Sequence, residues 1–223
     1  MLSAAESDRI ATAVAAAEAR TSTEILCVLS REASEYREAP LAWAAGAALL
    51  APLAATAAGL SFAPLAQRLS GWAAAHGSAA GGPLLTAYAL AQAAVFLIVL
   101  VVASIPRVRL ALTPGVLKRH RAHRAALQQF AAARAHLRPG ETAVMIFAAL
   151  GERQVEVLAD EAVHAAVGQA AWDRAVAEAV AAIRAEGPVA GLVRAVEICG
   201  AALAESFPAQ ERANAYPDRP LEI

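Results

Sequence analysis

Residues Leu84–Ile105, LLTAYALAQAAVFLIVLVVASI, form a run of 22 residues without a charged side chain. A helix needs about 20 apolar residues to cross roughly 30 Å of hydrocarbon, and this run has that length. A second run, Leu41–Leu65, is richer in alanine and contains Pro52. Its small residues favour close packing against another helix. The two runs predict a transmembrane hairpin with spans at about 41–65 and 84–105; the alternative is a buried hairpin in a soluble helical core.

Charged residues are distributed unevenly around this hairpin. The 68 residues from Ala39 to Pro106 carry one charged side chain, Arg68, and the other 155 residues carry 38 of the 39 charges. About 25% of that remainder is charged, which is the usual share for a soluble domain. The sequence therefore predicts one discontinuous domain, residues 1–38 plus 107–206, interrupted by the hairpin at 39–106 and followed by an extended tail at 207–223.

Composition also excludes several classes of protein. The chain is too apolar for a disordered protein, and two cysteines 172 positions apart, Cys27 and Cys199, cannot form a disulfide framework or a C-x-x-C motif. They are expected to be buried reduced thiols. A net charge of −1 gives no electrostatic basis for binding nucleic acid. The N-terminus lacks the pattern of a cleavable signal peptide.

Basic residues set the expected orientation. Six follow the second span within about 18 residues, whereas the connection at 67–82 has only Arg68 and His76; the six are Arg107, Arg109, Lys118, Arg119, Arg121 and Arg124. Positive residues stay on the cytoplasmic side, so both termini are predicted to be cytoplasmic. Arginine is preferred almost completely over lysine, as is typical of GC-rich bacterial genomes. We therefore expect an integral protein of a bacterial inner membrane.

The flanking segments have the pattern of an α/β domain, a small sheet packed with helices. Ser3 and Glu6 form a capping-box pattern that begins an amphipathic helix in the first 20 residues. Strands are predicted at Thr23–Leu29, at the apolar run Thr142–Leu150, which is typical of a central strand, and at Gln154–Ala159, whose alternation leaves one face in solvent. Further helices are predicted at Val116–Leu137, from Glu161 to about Ala185 with a break permitted at Gly168, and at Val189–Ser206.

In these segments the chain resembles the TPM-domain family, and in particular its subgroup with a membrane hairpin inserted in the domain. The matching stretches are Glu18–Thr21 leading into Thr23–Ile25, Leu150–Val157 with Asp160, the Gly191-Leu192 helix followed by Phe207-Pro208, and the tail Asn214–Pro220. The resemblance implies a compact α/β sandwich. Some family members are described as phosphatases or Ca²⁺ binders, and many lie outside the cytoplasm, unlike the orientation predicted here.

One candidate metal site follows from the residues after the third strand. Asp160, Glu161 and His164 could share a helix face, because Asp160 and His164 are four residues apart, and such a trio could hold Ca²⁺ or Mg²⁺. The alternative is that Asp160 caps the next helix and that both acids stabilise its first turn. No known catalytic motif is found in the sequence, which argues against an enzyme without deciding the question.

Two further features point to binding. The basic cluster Lys118, Arg119, Arg121 and Arg124 is expected to contact anionic lipid headgroups. Trp172 is expected either in the core or as a docking anchor for a partner. The favoured hypothesis is a membrane-anchored module for binding, quality control or assembly of other membrane proteins, with a metal-assisted acid phosphatase and a structural membrane scaffold as alternatives. The oligomeric state stays open.

Overall fold

The protein is described by a computed structural model. It covers residues 2–60, 82–138, 140–210 and 217–222, together with residues 64, 67 and 68. The chain divides into two compact units, Met1–Ser34 with Gly115–Ile223, and Glu35–Pro114. Residues 35–38 and 106–114, predicted within or beside the domain, group with the hairpin instead, and the tail groups with the domain.

The first unit has an α/β fold. In chain order its elements are α1 (Ala4–Glu18), β1 (Glu24–Ser30), α5 (Gly115–Arg134), β2 (Ala143–Ala149), β3 (Gln154–Ala159), α6 (Glu161–Val167), α7 (Gln169–Glu186), α8 (Pro188–Ser206) and β4 (Leu221–Glu222). The strand β3 has the bounds that the sequence predicts, Gln154–Ala159. The single helix expected after it is two helices, because Gly168 adopts φ +81° between them.

The sheet has the order β3-β2-β1-β4. β1 pairs with β2 and with β4 in parallel, and β2 pairs with β3 antiparallel. All seven residues of β2 are buried, which confirms the prediction of a central strand. The predicted tail contributes β4, which pairs with Val28 and Leu29 of β1.

Helices cover both faces of this sheet. On one face, Ile25, Cys27 and Leu29 of β1 and the alternate residues of β2 form the main core with α1, α7 and α8. On the other face, Val28, Met145 and Phe147 pack with small alanines of α5. The alternation of side chains along β1 and β2 thus builds a core on each side.

Two helix features position these layers. The predicted capping box of α1 is present, because Ser3 N donates to Glu6 Oε2 at 2.8 Å and Glu6 N donates to Ser3 Oγ at 3.3 Å. The hydrogen bonds that Ser3 N and Ser3 Oγ donate to Glu6 Oε2 lower the pKa of Glu6. On α8, a Cβ at Gly200 would lie 2.6 Å from the Cβ of Ala17, so a side chain there is excluded by α1.

The second unit contains α2 (Glu38–Ala57), α3 (Gly82–Ser104) and α4 (Pro106–Leu112). The helices α2 and α3 pack against each other. Glu38–Ala57 and Leu85–Ser104 are long and apolar enough to cross a membrane, and only 6% of the latter segment is buried. α2 ends at Ala57, before the predicted end of the first span at residue 65. Residues 61–63 and 65 of that predicted span lie outside the described ones. Pro106, at the first position of α4, separates that helix from α3.

Candidate binding site

Asp160 has a structural role at the start of α6. Its Oδ1 lies 2.9 Å from Arg134 Nε, and its Oδ2 accepts a hydrogen bond from Ala143 N at 2.8 Å. Its side chain is only 15% exposed. The residue stands at the N-cap of α6, but its side chain makes no capping hydrogen bond to that helix. The predicted side-chain cap is replaced by contacts that join α5, β2 and the end of β3.

The predicted metal trio is not brought together as a ligand set. Both oxygens of Asp160 are used by a guanidinium and a backbone amide, while Glu161 and His164 are exposed on α6. Within the described ranges, no group of three or more His, Cys, Asp or Glu side chains could hold a metal ion. The arrangement around Asp160 therefore corresponds to a structural ion pair rather than to a ligand set.

The acidic residues of the β2–β3 turn also have partners within the fold. Glu152 is 5% exposed, and its Oε1 accepts a hydrogen bond from Ala33 N at 2.8 Å. Glu156 on β3 lies 3.2 Å from His123 Nδ1 of α5. Arg153, with φ +56°, forms the turn between the two strands. These side chains hold loops and α5 to the sheet.

Trp172 lies in the main core and is 3% exposed. A side chain at this depth cannot present an anchor to a partner protein. Two positions were expected for Trp172, and the structure shows the one in the core. The residue does not form a docking anchor at the surface. The sequence around it, a stretch of small residues on α7, does not distinguish the two.

Two of the four clustered cations of α5 line one cavity together. Arg121 Nη1 donates a hydrogen bond to Ser34 Oγ at 2.6 Å. Together with His120, Arg124 and Ser34, it lines a shallow cavity of about 300 Å³. Lys118 and Arg119 do not line this cavity, so the predicted cluster of four is divided, and Arg121 and Arg124 are brought together.

A larger cavity, of about 530 Å³, lies between α5, β1 and the tail, and we call it the β1 cavity. Its walls are mostly apolar. They include Leu26, Val28 and Met145 from the sheet, Gln129, Ala133 and His136 from α5, and Pro217, Arg219 and Leu221 from the tail. Sequence reasoning missed this cavity, because the tail returns to β1 from almost 200 residues away along the chain. No local signal encodes that return.

The edge of β1 opposite β2 lies beside the β1 cavity. Glu24 N donates to Thr142 O on the β2 side, whereas Ile25 N donates to Glu18 Oε1 at 2.7 Å on the opposite side. Since backbone groups alternate along a strand, those of Ile25, Cys27 and Leu29 point away from β2. β4 pairs with β1 only at Val28 and Leu29. The edge is therefore closed by Glu18 at one end and by the tail at the other.

Glu18 is a perturbed carboxyl group at this edge. Burial raises its pKa to about 7, and the nearby carboxylates of Glu24 and Asp218 act in the same direction, opposed by the hydrogen bond from Ile25 N. Asp218, in the tail, also forms a side-chain hydrogen bond with Glu18. Two carboxyl groups that share a hydrogen bond must hold one proton between them. The protonation of Glu18 is thus linked to the position of the tail.

Two contacts hold the tail to α1 and to the residue before its N-cap. Arg219 Nη2 lies 2.8 Å from Asp8 Oδ1, and both side chains are mostly in solvent. Glu222 accepts a hydrogen bond from Leu2 N at 3.0 Å. Exposed ion pairs contribute about 0–1 kcal/mol each, so these contacts secure the tail only weakly.

Comparison with known proteins supports the fold. No family model matches the chain, and no curated protein matches it. Among solved structures, the chain is similar to the NMR structure of the BA42 protein from the psychrophilic bacterium Bizionia argentinensis, with a TM-score of 0.55 and 14% identity over 100% of this chain and 95% of that one. At that identity the similarity concerns the fold alone. The fold defines the class of protein: an α/β domain joined to two helices of membrane-spanning length.

Proposed function

We propose that this chain is a membrane-anchored, TPM-like module that binds other membrane proteins through its α/β domain. In this proposal α2 and α3 cross a bacterial inner membrane and both termini are cytoplasmic. The length and exposure of the apolar helices support the anchor. The arginines that follow α3 in the sequence support the orientation.

The observation that carries the binding role is the β1 cavity. Concave, mostly apolar sites with a few polar groups are the usual form of binding sites. The β1 cavity combines an apolar floor of Leu26, Val28 and Met145 with Gln129 and Arg219 at its walls. It also adjoins a strand edge, where an extended segment can pair with backbone groups.

The contacts of Asp160 favour binding over the phosphatase alternative. A phosphatase needs a nucleophile or a metal-bound water together with cations for the phosphoryl oxygens. Asp160 would have to give up Arg134 and the Ala143 amide before it could hold a metal. A purely structural scaffold, the other alternative, gives no role to an open cavity.

The cavity formed by Ser34, Arg121 and Arg124 supports a second contact, with anionic lipid headgroups. Its guanidinium groups suit phosphate oxygens, and the hydrogen bond to Ser34 fixes one of them in place. Arg121 follows the last residue of α3, Ser104, by 17 positions along the chain. In this proposal α5 rests on the lipid surface while the β1 cavity receives a protein segment.

Photocrosslinking of the full chain in its own membrane tests the binding role. With p-benzoylphenylalanine at Gln129, which lines the β1 cavity, we expect crosslinks to a small set of membrane proteins. The same probe at Leu127, an exposed residue of α5 that does not line the cavity, is the matched control. Equal crosslinking from both positions would contradict the proposal, as would metal-dependent phosphoester hydrolysis that is lost in Asp160→Asn.

A further inference from the structure

We infer that the edge of β1 opposite β2 is a peptide-binding lane. The C-terminal segment Pro217–Glu222 occupies this lane in cis, and an extended segment of a partner membrane protein displaces it and takes its place. The occupant we assign carries an arginine next to a proline and an acidic residue three positions after the arginine. This inference rests on the proposed binding function and names the chemistry of the partner.

The pairing of β1 on the side opposite β2 is short. β1 has seven residues, and β4 pairs with two of them. Towards the start of β1, the Ile25 amide is held by the Glu18 side chain rather than by another strand. The tail residues Arg219 and Pro220 lie beside Leu26 and Cys27 but are not strand residues, so a partner strand that replaced the tail could pair with Cys27 and, if the Glu18 side chain moved aside, with Ile25. Strand addition of this kind gives affinity through backbone hydrogen bonds, and pockets give specificity.

The charges of the tail are complementary to the groups that it contacts. Asp8 of α1 receives Arg219 at 2.8 Å, and Leu2 N, which precedes α1, donates to the Glu222 carboxylate at 3.0 Å. The two tail residues that make these contacts are three positions apart. They define where a competing segment must place a positive and a negative side chain.

Several contacts of the present occupant, the tail, are exposed to solvent. Both residues of β4 are exposed, and the Arg219–Asp8 contact is exposed as well. Exposed pairs of this kind are worth little. The tail also forms the Asp218–Glu18 hydrogen bond and the pairing of β4 with β1. Its tether adds to these contacts, because a short tether raises the effective concentration to about the millimolar range. A partner segment with more contacts along β1 can displace it.

The test uses the full chain in lipid nanodiscs and a shortened chain that ends at residue 210. The probe is a fluorescein-labelled peptide with the sequence of residues 217–223, PDRPLEI, and binding is followed by fluorescence anisotropy. We expect the shortened chain to bind the peptide at least about tenfold more tightly than the full chain, because the tethered competitor is removed. A peptide that keeps the prolines, Arg219 and Glu222 but carries D218A, L221V and I223V should also bind.

Charge reversal checks the register. The R219E peptide should bind the shortened chain about tenfold more weakly, and Asp8→Arg in the shortened chain should restore its binding. The inference is overturned if the shortened chain keeps its melting temperature but does not bind the PDRPLEI peptide. It is also overturned if that chain binds the R219E peptide as tightly as the PDRPLEI peptide. If the shortened chain does not fold, the full chain with Arg219→Glu and Glu222→Gln takes its place, and failure of that folded variant to bind the PDRPLEI peptide overturns the inference as well.

Two readouts separate this inference from its alternatives. Light scattering of the full and shortened chains shows whether the tail joins two copies; a dimer formed only by the full chain would make a second copy the occupant and overturn the assignment to a partner. If the crosslinks from Gln129 are observed but no peptide binds, the proposed function stands and the peptide-binding lane is refuted. If neither crosslinks nor peptide binding are observed, both proposals are refuted.

Discussion

Arg134 Nε on α5 lies 2.9 Å from Asp160 Oδ1 at the end of β3, and the same carboxylate accepts a hydrogen bond from Ala143 N at the start of β2. One side chain thus joins the helix on one face of the sheet to two of its strands. A hydrogen bond to a charged group contributes about 1.5–3 kcal/mol, and a partly buried guanidinium left without its carboxylate adds to the loss.

We therefore expect Asp160→Asn to lower the free energy of unfolding of the α/β domain by about 2 kcal/mol. The matched control is Asp173→Asn, an exposed acid on α7 whose contact is with Gln169, and it should change stability by no more than about 0.5 kcal/mol. Pulse proteolysis of the full chain in detergent across a urea series measures both. Equal stability of the two variants would show that Asp160 is not part of a structural ion pair.

The acidity of Glu18 predicts how the domain responds to pH. Its pKa is raised to about 7 from 4.5, so between these values the folded state holds a proton that the unfolded state has released. Stability from this group is then full at pH 4.5 and below and is lost as the pH rises to 7 and above. The charged groups that act on it are Glu24 and Asp218, both of which disfavour its ionisation.

Glu18→Gln keeps an oxygen that can accept the Ile25 amide and removes the charge. We expect this variant to be more stable than the wild type at pH 8 by on the order of 1 kcal/mol, after allowance for partial exposure, and the difference to shrink toward pH 5. Denaturant titrations at the two pH values measure it. Glu205→Gln, an exposed position on α8, is the control. A stabilisation by Glu18→Gln that is the same at both pH values would refute the assignment.

The close approach of α1 and α8 gives a prediction about packing. A Cβ at Gly200 would lie 2.6 Å from the Cβ and 3.3 Å from the Cα of Ala17, so the helices must separate to admit it. We expect Gly200→Ala to cost about 1–3 kcal/mol, as is usual for overpacked cores. At Gly115, on α5, nothing lies within 4 Å of such a Cβ, so Gly115→Ala should be neutral or slightly stabilising. The same urea series compares the two alanine variants.

The parts of the fold that the sequence predicted are those encoded by local pattern. The strand Gln154–Ala159, the buried strand around Ile146 and the capping box of Ser3 each depend on neighbouring residues, and the structure confirms them. The partners of Asp160 could not be predicted in this way. Arg134 is 26 positions away and on another element, so nothing in the local spacing distinguishes a capping aspartate from one held by a distant guanidinium.

The same limit applies to the candidate binding site. Its floor comes from β1 and β2, its cover from α5, and one wall from a tail with no strand pattern of its own. The two residues of β4 are too few to show periodicity, and their pairing with Val28 and Leu29 spans nearly the whole chain. Trp172 is a further example of this limit. Its depth in the core depends on how α7 packs against the sheet and α8, which its own neighbours in the sequence do not encode.

The lipid contact proposed for α5 predicts a dependence on headgroup charge. With an environment-sensitive fluorophore at Val116, which is 70% exposed, we expect a blue shift in nanodiscs that contain anionic phosphatidylglycerol relative to phosphatidylcholine alone. Each arginine near an anionic surface contributes about 1 kcal/mol, so Arg121→Gln with Arg124→Gln should remove most of the shift. Arg174→Gln with Arg184→Gln, on α7, is the matched control. An equal shift in both lipids would contradict the contact.

The orientation of the hairpin predicts which positions a membrane-impermeant thiol reagent reaches on intact cells. The two native thiols are suitable background, because burial raises the pKa of Cys27 above its usual range and that of Cys199 to about 12, and neutral buried thiols react slowly. With both termini cytoplasmic, Ser78→Cys, in the connection between the spans and outside the described residues, should be labelled. Ser206→Cys, at the end of α8, should be labelled only after the membrane is permeabilised. The reverse pattern would place the α/β domain and its β1 cavity outside the cytoplasm, and it would overturn the orientation derived from the arginines after the second span.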